Sequence, residues 1–146
     1  MEVLADEKEK LELSLCSEIA KKMKDKSLKE EDFDAVFKLF AQICNSEDTL
    51  LFELKGYSES FQFVFEDFSY GIIFEDGKCK VYRGELHWPE MTFRIRKEVV
   101  LEILTGKVYS AVAHMAGNVD YTGFKNGAIR FMGILETVLD EISNHM

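Results

Sequence analysis

Proline is nearly absent: with Pro89 the single example in 146 residues, long stretches lack the residue that breaks helices and central strands. Cysteine is scarce too. Cys16, Cys44 and Cys79 are odd in number and widely spaced, with no C-x-x-C pair, so neither a disulfide scaffold nor a zinc or redox motif is indicated, and buried free thiols in a reducing compartment are expected. Basic charge is in deficit, 18 Lys and Arg against 27 Asp and Glu, and the formal net charge of -9 repels polyphosphate backbones and anionic headgroups at long range. Nucleic acid is therefore excluded as an expected partner. No apolar run approaches the roughly 20 residues that span a bilayer. The acidic first ten residues carry no basic and apolar regions of a signal peptide, and Ser143-Asn144-His145-Met146 is not a peroxisomal address, so a cytoplasmic location is expected. Catalytic signatures are missing as well: there is no G-x-S-x-G elbow, Walker loop or H-E-x-x-H helix, and His87, His114 and His145 are too scattered to form a ligand set. The expectation is a non-enzyme without metal or cofactor.

What is abundant is large apolar volume: 12 Phe, 6 Met and 5 Tyr can fill a core or line a cavity equally well. The length suits one domain, which at this size buries roughly 70% of its unfolded surface. One local exception to the acidic balance runs through Lys21, Lys22, Lys24, Lys26 and Lys29, diluted by Asp25 and Glu30. A solvated helix end is the plainer reading, and contact with an anionic membrane surface, worth about 1 kcal/mol per lysine, is the other.

Along the chain, Asp6 with Glu9 reads as a capping box, followed by Leu11, Leu15, Ile19 and Met23 at helical spacing. Ser27 with Glu30 repeats the signature before Phe33, Val36, Phe37, Phe40, Ala41 and Cys44, the strongest helical stripe in the chain. Residues 48–55 fit a helical face through Leu50, Leu51 and Leu54 or, being short, a strand, and Lys55-Gly56, which resembles a helix C-terminus, favours a short helix. From Ser60 the period changes to two: Phe61, Phe63 and Phe65 alternate with more polar neighbours, Tyr70, Ile72 and Phe74 continue, and Asp76-Gly77 marks a hairpin turn into a strand over 79–83. Met91, Phe93 and Ile95 form a further strand, with Arg94 and Arg96 on its other face as forked donors or, more plainly, solvated charges. Short helices follow at Val99 to Leu104 and Val108 to Met115. Val119 and Tyr121 mark a last strand, and Ala128 to Ile142 a long closing helix. Strands bunched between helices predict a layered α+β domain, with a mostly antiparallel sheet of about five strands covered by helices.

Three blocks in order, Pro89 to Ile95, Glu98-Val99-Val100-Leu101-Glu102-Ile103-Leu104-Thr105-Gly106-Lys107, and Gly117-Asn118-Val119-Asp120-Tyr121-Thr122-Gly123, resemble the sterol carrier protein family. The likeness covers roughly residues 47–142. Residues 1–45 stand before it as an N-terminal helical extension to a single domain, and Phe124 stands where the family usually has Asp.

The resemblance implies an apolar tunnel between sheet and helices that binds, and in transfer proteins delivers, a hydrophobic lipid: a sterol, fatty acid or acyl chain. It points to Phe61, Phe63 and Phe93 from the sheet, Leu101, Leu104, Val112, Met115, Phe131, Leu135 and Val138 from the helices, and Tyr121, with Tyr109, at the cavity edge. Each of these is also an ordinary core residue; only the set on this fold speaks for a hollow. A second reading makes the chain a non-catalytic accessory or interaction subunit of a lipid-pathway assembly, and a third makes it the non-catalytic domain of a once larger enzyme. Transient membrane contact and a homodimer are both compatible with the sequence.

Overall fold

The computed structural model describes residues 2–106, 117 and 119–145. The second expected short helix, with Val112, Met115, Tyr109 and His114, lies outside the described residues.

The first element is a strand the periodicity does not announce, β1 (Glu2–Ala5). Four residues are too few for an alternation to register. It raises the sheet from the expected five strands to six, pairing antiparallel with β4 (Lys78–Arg83) and placing Ala5 beside Val81. Asp6 does not cap a helix, because its carboxylate is taken by the Lys8 N–H at 2.9 Å in a turn leaving β1. α1 (Leu13–Lys24) starts later and buries Cys16, Ile19, Ala20 and Met23.

Ser27 makes no cap either. A 3-10 turn at Glu30–Asp32 leads into α2 (Phe33–Cys44), and its capping box joins Lys29 to Asp32 in place of the expected Ser27 and Glu30. The Asp32 carboxylate accepts the Lys29 N–H at 2.9 Å and the Lys22 ammonium at 2.8 Å. Of the lysine cluster, Lys22 is thus paired, whereas Lys21, Lys24, Lys26 and Lys29 are exposed around the end of α1. α2 buries Phe33, Val36, Leu39, Phe40, Ile43 and Cys44 and packs on β4, β1, α1 and the closing helix. α3 (Asp48–Glu53) is the expected short helix, capped by the Glu47 carboxylate on the Leu50 N–H.

β2 (Glu59–Val64), β3 (Ser69–Glu75) and β4 form a meander, after which the chain crosses back to set β5 (Met91–Ile95) parallel to β2 and β6 (Val119–Thr122) antiparallel beyond it. The strand order is β1-β4-β3-β2-β5-β6. The β3–β4 turn has positive φ at Asp76 (51°) and Gly77 (81°), and a Cβ on Gly77 would stand 2.6 Å from the Leu54 carbonyl oxygen, so glycine is required there.

One sheet face is continuous: Phe61, Phe63, Tyr70, Ile72, Phe74, Cys79, Val81, Met91 and Phe93 are buried beneath α2 and α5 (Lys125–Ser143). α4 (Lys97–Leu104) closes the end of the layer beside β5. The other face is not simply wet, because the loop after β4 folds across it. Leu86 sits over Gly71, where a Cβ would meet its side chain at 2.6 Å, and Gln62 is buried beneath the same loop.

Candidate ligand cavity

The inward alternation of β2, β3 and β5 sets a floor of rings. Phe63 and Phe93, paired across the parallel β2–β5 register, stack at 5.1 Å with planes 12° apart. Phe131 of α5 leans on both, at 5.0 and 5.6 Å between centroids. From α2, Phe37 meets the edge of Phe63 at 5.7 Å and Phe40 stacks on Phe131 at 5.6 Å. Stiff rings bridging the layers at these separations cannot slump into the remaining gap as aliphatic chains would.

They leave a cavity of about 100 Å³. Its wall is Phe63, Phe65, Ile72, Phe93, Ile95 and Val119 from the sheet side, Val36, Phe37 and Phe40 from α2, Val100, Ile103 and Leu104 from α4, and Ala128, Phe131, Met132 and Leu135 from α5. Every one of these side chains is a hydrocarbon, an aromatic ring or a thioether. Phe37, Ile95, Val100, Val119, Met132 and Leu135 are only half-buried and form the rim.

Of the residues singled out from the sequence, Phe63, Leu104, Phe93, Phe131 and Leu135 stand together on this wall. Phe61, Leu101, Tyr121 and Val138 do not. Phe61 lies one register step from Phe63, and with its ring 5.0 Å from Phe131 it backs the wall instead of facing the hollow. α4 turns Val100, Ile103 and Leu104 inward, which rotates Leu101 aside. Tyr121 is half-buried on β6, its ring 6.2 Å from Phe93. Val138 belongs to the half of α5 that packs on α1, where the Ser17 hydroxyl donates to the His145 carbonyl at 2.7 Å. Val112 and Met115 lie outside the described residues.

Sequence reasoning misses Phe65, Ile72, Ile95 and Val119 on the sheet side, Val100 and Ile103 of α4, Ala128 and Met132 of α5, and the whole α2 wall. Val36, Phe37 and Phe40 fall in the segment read as an extension, although their i, i+1, i+4 spacing is the signal for a second layer over the sheet.

Among the described residues, polar chemistry is kept away from the cavity. The Tyr70 hydroxyl donates to Asp34, which also holds Arg83 at 2.8 Å; burial first, and then Asp34, push the phenol well above its ordinary value. Cys16, Cys44 and Cys79 are buried free thiols, and burial, followed by Cys44, raises Cys79 far from the thiolate range. Among the described residues, no three His, Cys, Asp or Glu side chains are grouped to hold a metal, and no helix is long and apolar enough to cross a membrane.

No family model and no curated protein matches this chain. Solved structures do. A sterol carrier protein domain from Helicoverpa armigera superposes with a TM-score of 0.57 at 20% identity, covering 82% of this chain and 95% of that one. A conserved protein of Thermus thermophilus, described as possibly a sterol carrier protein, gives 0.58 at 12% identity over 76% and 86%. This chain has the sterol carrier protein fold. The same fold matches a stretch of a stereoselective inverting sec-alkylsulfatase from Pseudomonas sp., with a TM-score of 0.57 at 20% identity; the match covers 74% of this chain but 16% of the enzyme.

Proposed function

We propose that this chain binds, and carries between membranes, a hydrophobic lipid whose alkyl portion enters the cavity between sheet and helices. The observation that carries the reading is the wall itself, which among the described residues offers no charged, hydroxyl or amide side chain, whereas the buried Asp32, Gln42 and Gln62 side chains elsewhere are all hydrogen-bonded. Such a wall selects by shape and apolarity, at about 0.8 kcal/mol for each methylene withdrawn from water. Among the described residues it has no side chain that gives or takes a proton, which supports holding over bond breaking. The exposed lysines at the end of α1 are the proposed point of transient contact with a membrane surface.

Native mass spectrometry of protein purified from cells tests the reading, with added mass of a fatty acid, a long-chain alcohol or a sterol as the expected result. Leu135→Trp, on the half-buried rim, should abolish that mass while far-UV circular dichroism stays unchanged. A protein that takes up no lipid from cells or from added vesicles would end the carrier reading. The alkylsulfatase match favours a second one, a module that serves a larger enzyme, for which a constant hetero-complex and no lipid would be the outcome.

A further inference from the structure

We infer that the ligand space continues past the inner cavity: Ile103 and Leu104 are a movable partition, and beyond them a groove between α1, the end of α4 and the C-terminal half of α5 takes the hydroxyl-bearing end of an uncharged long-chain lipid. This deepens the carrier reading and rests on it.

Size is the first ground. The inner cavity, about 100 Å³, is smaller than the roughly 150 Å³ void that accepts a benzene ring. A lipid tail cannot be contained there alone. Continuity is the second. Ile103 and Leu104 line the inner cavity and also a groove of about 370 Å³ on the other side of α4. No other described residue is shared between the two, so two aliphatic side chains at the C-terminal end of α4 form the barrier. Rotamer changes of such side chains are small rearrangements that need no backbone motion.

The third ground is the chemistry of the groove. Ala20, Met23 and Leu139 continue the apolar path, and Lys24, Thr105, Glu136, Asp140 and Ser143 form its rim. The Thr105 hydroxyl already donates to the Leu101 carbonyl at 2.7 Å and the Ser143 hydroxyl to the Leu139 carbonyl at 3.0 Å. Both therefore face a ligand as acceptors, and the Asp140 carboxylate on the same rim adds another. A ligand hydroxyl, which donates, is matched. A fatty carboxylate, which only accepts, finds no donor in either hydroxyl.

Isothermal titration calorimetry with 1-hexanol, 1-octanol and 1-dodecanol tests this. The native chain should bind each longer alcohol more tightly, up to about fourfold per added methylene, and dodecanol more tightly than dodecanoate at pH 7. Ile103→Trp, which fills the partition shared by cavity and groove, should erase the gain in affinity from hexanol to dodecanol. Ser143→Trp fills the groove from an exposed position and should do the same without entering the core. Affinity that still climbs with length in both variants, or dodecanoate preferred over dodecanol, overturns the groove while the carrier reading stands. If the native chain binds none of the alcohols, both fail together.

Discussion

Gln62 sits on the face of β2 that alternation assigns to solvent, yet it is 4% exposed. Its amide donates to the Tyr70 and Gly84 carbonyls, both at 3.0 Å, and its oxygen accepts the Leu86 N–H at 2.6 Å. One side chain thus pins the loop that covers the outer sheet face. Gln62→Leu keeps the volume but strands those backbone groups, and urea unfolding should show a loss of about 3 kcal/mol; a loss under about 1 kcal/mol would mean that water replaces the amide. Asp32 makes a prediction of the opposite kind, in pH. Burial alone would raise its carboxyl, but the Lys22 ammonium and the Lys29 N–H outweigh burial and hold it below the ordinary range. A carboxyl lowered in the folded state stabilises above its unfolded value, and the contribution disappears as pH falls from about 4 toward the folded value. Stability should therefore decline through that acid window, and Asp32→Asn should flatten the decline while lowering stability at pH 7. An unchanged acid limb in Asp32→Asn would assign the decline to other carboxylates.

At the scale of elements, α1 shows where a helix belongs to a domain. It buries Ile19 at 1% and Cys16 at 0% exposure and packs on α5, so it shares the core that α2 and the sheet enclose. Ile19→Ala should cost about 3 kcal/mol by chemical unfolding, and a chain beginning at Leu28 should aggregate or lose a cooperative transition. A truncated chain that unfolds cooperatively would instead make α1 a removable cover. Helices and strands with strong periods are legible in the sequence: α2 from its aromatic stripe, β2 from Phe61 and Phe63, the β3–β4 turn from Asp76-Gly77, and α5 from its long spacing. β1 is not, because its four residues gain their structure from the free edge of β4 and not from their own pattern. The N-caps mislead because Asp6 and Ser27 satisfy the motif where no helix starts: the Asp6 carboxylate accepts the Lys8 N–H in a turn, and the Lys29 N–H goes to Asp32. Only part of the cavity is legible, for a similar reason. Residue type locates apolar faces, but which side chain faces a void and which backs it, as with Phe63 and Phe61, depends on register against a helix far away in sequence.

The whole molecule carries a charge of -9, yet the end of α1 presents four exposed lysines beside the outer groove at Lys24. Which of these an anionic membrane feels depends on ionic strength. At about 0.01 M salt the screening length is about 30 Å, comparable to the domain, and the total charge opposes approach. Near 0.15 M it is about 8 Å, so the distant carboxylates are screened while lysines touching the surface still contribute up to about 1 kcal/mol each. Toward 1 M, with about 3 Å of screening, that attraction fades as well. Lipid delivery to phosphatidylserine-containing vesicles should therefore pass through a maximum at intermediate salt, measured as transfer of a fluorescent long-chain alcohol from loaded protein, while delivery to neutral vesicles stays nearly flat. Lys24→Glu together with Lys26→Glu should remove the maximum and leave a rate that only rises with salt. A native rate that rises steadily from the lowest salt to the highest would show that the net charge governs approach throughout, and that the lysines at the end of α1 are a solvated helix terminus.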